Sequence, residues 1–166
     1  MLVRRQTIRR DSISFTLVHR LLAFAAWFFC FIPYDFGPLN HRFAPKSQVL
    51  SWLGLCLTAA GLAFAIEARL YLGGNWSSAV TIKQDHTLVR SGPYALARHP
   101  IYSGFILGLF GTALVQAQWR SLVGVGLLFC AFWIKSGREE TFMLERFGDE
   151  YVQYRQRVRR LIPFVL

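Results

Sequence analysis

Ser91-Gly92-Pro93-Tyr94-Ala95-Leu96-Ala97-Arg98-His99-Pro100-Ile101-Tyr102-Ser103-Gly104 stands directly ahead of one of the most apolar parts of the chain. Gly92-Pro93 is a turn signal. Pro100 biases His99 away from helical backbone and suits the first position of a helix. The stretch therefore reads as a turn followed by a helix that starts at Pro100 and runs into oily sequence. A bare membrane anchor needs a basic flank and an aromatic residue. It does not need a turn, a histidine and a proline in fixed order.

Four apolar segments frame this stretch: 13–33, 49–66, 101–117 and 119–134. Each is close to the roughly 20 residues that cross a bilayer. The third and fourth meet at Gln118 and read as a tight helical hairpin, with Gly104, Gly108 and Gly111 allowing close approach. Residues 34–48 carry turn formers (Gly37-Pro38, Asn40, Pro45) and read as a short external loop. With 166 residues, 54% of them hydrophobic, one domain in lipid is the expectation. The fold expected is an all-α integral membrane protein of about four transmembrane helices with a cytoplasmic C-terminal amphipathic segment, residues 135–166.

The net charge is +10, and its distribution decides what it means. The basic residues lie beside and between apolar runs, which favours membrane topology over nucleic-acid binding. Arg42, Lys46 and Arg120 fall on one side of the four segments, and every other Lys and Arg falls on the other. The positive-inside rule then puts both termini, the loop before His99 and the tail in the cytoplasm, and a bacterial inner membrane is the expected location. Cys30, Cys56 and Cys130 lie inside apolar runs and read as small buried hydrophobes. No metal-ligand spacing stands out, and the first apolar stretch, long and aromatic, is expected to be a span and not a cleavable signal peptide. His19 and Arg20, inside the first span, read as interfacial.

All the unusual polar residues thus share one side. A helix starting at Pro100 presents amide groups around Ile101 to Ser103, which attract carboxylates, with Arg98 and His99 beside them. The plainer alternative is an interfacial belt of snorkelling Arg and Tyr. Glu139-Glu140 follows the fourth span, and acids at a membrane edge are costly unless paired or working. The alternative is a solvated pair beside Arg138. In the tail, Gly148 reads as a break, and Asp149 and Glu150 suit the start of another helix. Tyr151, Tyr154 and Val158 form one helical stripe. Its alternative is an amphipathic helix lying on the membrane surface. Gly73-Gly74-Asn75-Trp76-Ser77-Ser78 could cradle a ligand or end the second helix. No GxGxxG opens a βαβ unit, which excludes a soluble dinucleotide or methyltransferase fold.

Several pieces in order carry a resemblance: Arg69-Leu70-Tyr71-Leu72-Gly73-Gly74-Asn75-Trp76-Ser77, Leu88 to Tyr94, Arg98-His99-Pro100-Ile101-Tyr102-Ser103-Gly104, Glu139-Glu140, Phe147-Gly148-Asp149-Glu150-Tyr151, Tyr154 and Leu161-Ile162-Pro163-Phe164. This series resembles the isoprenylcysteine carboxyl methyltransferase family and the related membrane phospholipid methyltransferases. The resemblance covers residues 67–164. It implies an enzyme using S-adenosylmethionine, held at the cytoplasmic face under the C-terminal segment, and a lipophilic or lipid-linked acceptor arriving from the bilayer.

Carried over by motif, His99 and Tyr102 belong to the cofactor pocket. Glu140 and Arg146 form the catalytic pair that places cofactor and acceptor. The full cofactor set is Tyr94, Arg98, His99, Pro100, Tyr102, Glu139, Glu140 and Tyr151, with Arg146 and Tyr154 at the acceptor. A sulfonium methyl is already activated, so the protein has mainly to align partners and exclude water. In this reading the helix start with Arg98 and His99 holds the cofactor's amino-acid end, Glu140 pairs with its ammonium or ribose, and Arg146 steers a carboxylate acceptor. Tyr102, Tyr151 and Tyr154 wall off water. Competing classes are a phospholipid amine methyltransferase, an NADPH-dependent membrane reductase of the sterol-reductase type, and a non-enzymatic membrane scaffold.

Overall fold

The computed structural model describes residues 7–10, 13–73, 81–83, 88–163 and 165, with side chains described for 16–73, 88–163 and 165. Its elements are β1 (Thr7–Arg10), α1 (Ile13–Phe31), α2 (Gln48–Leu72), β2 (Thr81–Lys83), α3 (Pro100–Gln116), α4 (Trp119–Phe147) and α5 (Asp149–Arg157), with short 3-10 turns at Gly37–Asn40 and Gly92–Ala95. The protein is helical, with one small addition to the all-α expectation. β1 and β2 pair antiparallel, Thr7 opposite Lys83 and Arg10 opposite Thr81, and so join the two ends of the basic side.

Among the described residues two helices, α2 and α4, are long and apolar enough to cross a membrane, and the shorter apolar helices are Thr16–Phe31 and Pro100–Gln116. Both long helices outrun their apolar stretches. α2 continues past Ile66 to Leu72 and stops at Gly73, whose φ of +54° a residue with a side chain rarely adopts. α4 continues past Ile134, carries Glu139 and Glu140 within it, and stops at Gly148, φ +50°. Hydropathy marks where the solvent changes; the backbone stops where a glycine lets it turn.

Small residues fill the inside and large apolar ones cover the outside. Ala26, Ala65, Ala68, Ala113 and Ala131 are buried, while Leu17, Leu21, Phe24, Trp27 and Phe31 form an exposed stripe down α1. That inversion fits a chain whose solvent is hydrocarbon, where helices associate through close packing of small residues. The tightest seam joins α2 to α3. A Cβ on Gly61 would lie 2.5 Å from the Gly108 nitrogen, and one on Gly104 2.5 Å from the Gly61 carbonyl. Thr58 Oγ1 donates across the seam to the Gly108 carbonyl at 3.1 Å. The α3 glycines therefore serve contact with α2, and not the α3–α4 hairpin expected from their sequence neighbours.

α4 instead packs on α1, where a Cβ at Gly124 would strike Cys30 Sγ at 2.5 Å. Cys30 is buried as expected, whereas Cys56 and Cys130 are exposed on the apolar exterior. His19 is buried and Arg20 exposed. At the far end, Arg120 donates to the carbonyls of Phe29 and Ile32 at 3.0 and 2.9 Å, capping the end of α1.

Candidate functional site

The site lies at the opposite end, where four segments converge: the loop ahead of α3, the start of α3, the second half of α4 and the tail after α5. Backbone pairing assembles it. The Arg98 amide donates to the Arg159 carbonyl at 2.8 Å and the His99 amide to the Arg160 carbonyl at 3.0 Å, a short parallel bridge between loop and tail. Ser103 Oγ donates to the Leu161 carbonyl, extending the strap by one contact. Pro100 is buried as the first residue of α3, and the Tyr102 and Ser103 amides both return to the His99 carbonyl, at 3.0 and 3.1 Å. Those two amides are used inside the helix and are not free to hold a ligand, as the sequence reading had them.

Glu140 is the centre. Its side chain is 3% exposed and takes both arginines: Arg98 Nε and Nη2 reach Oε1, each at 2.8 Å, while Arg160 Nε and Nη2 reach Oε1 and Oε2 at 3.1 and 3.0 Å. Arg98 also donates to the carbonyls of Arg155 and Val158 at 2.9 Å, closing the end of α5. Glu139 faces the other way round α4. Its Oε1 accepts from Tyr102 Oη at 2.7 Å, and its Oε2 stands 3.3 Å from His99 Nδ1. His99 Nε2 lies 3.4 Å from Glu140 Oε1 but off line, leaving a buried nitrogen with no hydrogen bond. Burial opposes charge on His99, yet the flanking Glu139 and Glu140 carboxylates prevail and hold its pKa above the usual 6.5.

Aromatic rings back the cluster. His99 stacks on Tyr102 at 5.6 Å and Tyr102 on Phe132 at 4.5 Å, with Lys135 Nζ 5.2 Å from the Tyr102 ring centre. The Arg160 guanidinium lies 4.5 Å over Trp133. From α5, Tyr151 and Tyr154 are buried edge to face at 6.0 Å, and Tyr154 Oη donates to the Tyr94 carbonyl at 2.6 Å. Burial pushes the Tyr154 phenol up to about 12 and raises Tyr94 and Tyr151 as well, so these hydroxyls remain donors at neutral pH. Alongside, a cavity of about 250 Å³ is lined by Arg90, Ala95, Gln153, Tyr154, Arg157 and Val158.

A model of the phospholipid methyltransferase family matches residues 49–150, well over half of the chain. The chain belongs to the phospholipid methyltransferase family. Within that match lie Tyr94, Arg98, His99, Tyr102, Glu139 and Glu140, while the strap at Arg159–Leu161 lies beyond it. Human protein-S-isoprenylcysteine O-methyltransferase is 31% identical over 133 residues, 76% of this chain and 47% of its own length. The Schizosaccharomyces pombe enzyme of that name is 34% identical over 114 residues, 67% of this chain and 47% of its own. A probable protein-S-isoprenylcysteine O-methyltransferase from Oryza sativa subsp. indica is 32% identical over 119 residues, 70% of this chain and 62% of its own. The chain thus spans about half the length of the curated relatives it matches. In structure it resembles the eukaryotic intramembrane Ras methyltransferase (isoprenylcysteine carboxyl methyltransferase) with a TM-score of 0.64 and 28% identity, over 95% of this chain and 55% of the other.

The family member's geometry sorts the residues expected from sequence. Tyr94, Arg98, His99, Pro100, Tyr102, Glu139, Glu140, Tyr151 and Tyr154 come together. Arg146 does not: it is exposed, and six residues beyond Glu140 puts it roughly 240° round α4 from that carboxylate. The cation that reaches Glu140 from the C-terminal part of the chain is Arg160, which the sequence reading counted only among the basic residues of the cytoplasmic side. Phe132, Trp133 and Lys135 were missed for the same reason: they read as span and flank. Of the Gly73–Ser78 segment, everything from Gly74 on lies outside the described residues, as does Phe164.

Proposed function

We propose that this single domain, residues 1–166, transfers the methyl of S-adenosylmethionine to a lipophilic acceptor at the cytoplasmic face of a membrane, with both termini on that face. The acceptor proposed is a carboxylate of the isoprenylcysteine type, the group named in the relatives. The observation that carries the reading is the convergence of His99, ahead of α3, with Glu139 and Glu140 of α4 into one buried cluster at the end of the apolar helices. The donor set fits the cofactor: carboxylates for a ribose diol or an ammonium, cations for a carboxylate, stacked rings for a base. The buried, unbonded His99 Nε2 supplies a polar atom still in want of a partner.

When bound, S-adenosylmethionine supplies an electrophilic methyl on a sulfonium. The chain's residues have to position and dry the site. Glu139, at 19% exposure, keeps the more accessible carboxylate, and we assign it the ligand contact. Glu140, at 3%, with both oxygens occupied, fixes Arg98 and Arg160 and so acts by positioning. Tyr102, Tyr151 and Tyr154 exclude water. A carboxylate acceptor is ionised at neutral pH and asks for no base. Arg146, exposed near the tail, is assigned to the arriving acceptor and not to the cofactor.

The deciding experiment is transfer of labelled methyl from S-adenosylmethionine by the purified, reconstituted chain. Base-labile label in a prenylcysteine analogue supports the reading. Base-stable label in the phospholipid fraction supports an amine acceptor, which the family description favours as the second reading. Thermal stabilisation by NADPH and not by S-adenosylhomocysteine would refute both, and stabilisation by neither would leave a scaffold.

A further inference from the structure

Beyond these assignments, one tail residue connects to more of the cluster than any motif suggested. Arg160 lies outside the family match. Its guanidinium spans both Glu140 oxygens, Nε to Oε1 at 3.1 Å and Nη2 to Oε2 at 3.0 Å. That two-pronged grip fixes a carboxylate's plane as well as its distance. The guanidinium lies over Trp133 at 4.5 Å, which limits its own swing. Its backbone carbonyl accepts from the His99 amide at 3.0 Å. One residue therefore touches the two groups whose relative pose defines the site. It does so from a strap anchored on either side, by the Arg98 amide to the Arg159 carbonyl and by Ser103 Oγ to the Leu161 carbonyl.

We propose that Arg160 is a positioning residue of this site, holding Glu140 with its side chain and His99 with its backbone so that the imidazole stands between the two carboxylates, Nδ1 3.3 Å from Glu139 and Nε2 3.4 Å from Glu140. Only the kinetic consequence rests on the methyltransferase reading. The placement itself stands on the geometry. The occupied Glu140 oxygens explain why His99 Nε2, only 3.4 Å away, makes no hydrogen bond there: Arg98 and Arg160 already fill the directions from which Oε1 accepts. Without Arg160, Glu140 turns towards the imidazole.

The groups around His99 are Glu139 and Glu140 from α4, Tyr102 from α3, Arg98 beside it in the loop and Arg160 from the tail, with Lys135 over the Tyr102 ring. Removing the Arg160 cation while both carboxylates stay leaves a more negative surround, and the imidazolium is favoured further. Loss of the strap as a mere anchor acts the other way, because water then reaches His99 and its pKa relaxes towards the ordinary value of about 6.5.

The test titrates His99 by NMR in the full chain, in detergent micelles, with labelled histidine and a His99→Gln spectrum to assign the resonance. For Arg160→Gln the expected result is a rise of about 0.5–1 unit in the His99 pKa. For Arg160→Lys, which keeps the charge, it is a value within about 0.3 unit of wild type, with KM for S-adenosylmethionine raised about 5- to 10-fold because one ammonium cannot grip both oxygens. A fall towards 6.5 in Arg160→Gln, or no change, overturns the proposal. If Arg160→Gln does not fold, the Lys variant decides: wild-type KM overturns the proposal. If the wild type transfers no methyl, the functional reading fails, and the titration alone still decides the placement of Arg160.

Discussion

Replacing Glu140 with Gln removes a charge while keeping the shape, and the structure sets the size of the effect. The Glu140 side chain is 3% exposed, Arg98 9% and Arg160 20%. Four N–H groups converge on the carboxylate at 2.8–3.1 Å. A glutamine amide turns one of its two positions into a donor, so whichever way it is flipped at least one arginine N–H faces another N–H. Breaking a buried ion pair by changing one partner costs about 3–5 kcal/mol. Two features bring the figure towards the lower end. Arg98 keeps its bonds to the Arg155 and Val158 carbonyls, and Arg160, the most exposed of the three, can turn to water.

We therefore expect a loss of about 3 kcal/mol, which at roughly 2–4 °C per kcal/mol for a chain of this length lowers Tm by about 6–12 °C. The assay is thermal unfolding in detergent micelles followed by tryptophan fluorescence, with Trp133 close to the perturbed Arg160. Hydrogen exchange supplies a local check: the Arg98 and His99 amides, bonded to the tail, should lose protection before the helices do. Arg146→Gln serves as the control, since an exposed surface change away from such features stays within about 0.5 kcal/mol. A Glu140→Gln shift under about 2 °C, or one matched by Arg146→Gln, would refute the reasoning that Glu140 ties loop, helix and tail together.

On the α2–α3 seam, Gly104→Ala places a methyl 2.5 Å from the Gly61 carbonyl and should cost about 1–3 kcal/mol, whereas Gly126→Ala meets nothing within 4 Å and should be neutral or slightly stabilising; both are read by thermal unfolding. Tyr154→Phe deletes the donor to the Tyr94 carbonyl and should cost about 1–2 kcal/mol in the same assay, with retained stability arguing against that contact. His99 has a folded pKa above 6.5, so its charged form stabilises the fold fully below that pH and the benefit is lost as pH rises through the folded value. Between about pH 6 and 9, where carboxylates stay ionised, the stability gap between wild type and His99→Gln should narrow with rising pH, and a flat gap would mean that His99 is neutral in the fold.

Much of this arrangement was legible in sequence where local chemistry decides it. Pro100 opens α3, and Gly148 parts α4 from α5, because ring and glycine constraints act on the residue that carries them. The far ends of α2 and α4 were misjudged because the apolar count fell at Glu67 and Lys135, although nothing in the backbone stops there. The glycines of α3 announced a close contact but not with whom: composition carries no partner label, and Gly54 and Gly61 on α2 match them only once the helices are laid side by side. Arg160 was out of reach for a related reason. Its role depends on residues 97–99 pairing with 159–161, a backbone bridge across the whole second half of the chain that no periodicity announces. Arg146 stood in the more suggestive place, before Phe147-Gly148, but helical geometry turns it from Glu140.

Depth ties the helices to the chemistry. From Trp119 to Glu140 is 21 residues of unbroken α4, or about 32 Å at 1.5 Å per residue, close to the roughly 30 Å of a bilayer's hydrocarbon. α3, with 17 residues, rises about 24 Å from Gln116 to Pro100, starting beside the same end of α4. The two helices, nearly level at Ala117-Gln118, bring His99 and Glu140 within 3.4 Å of each other at their other ends, where the cost of desolvating an ion eases and a buried ion cluster can be completed by a strap from the water side. Lengthening either helix alone would separate the pair. A four-residue insertion in α4 near Gly126, which adds about 6 Å and slightly more than a full turn, should lift Glu140 out of reach of His99 and Arg98 while the α2–α3 seam stays intact.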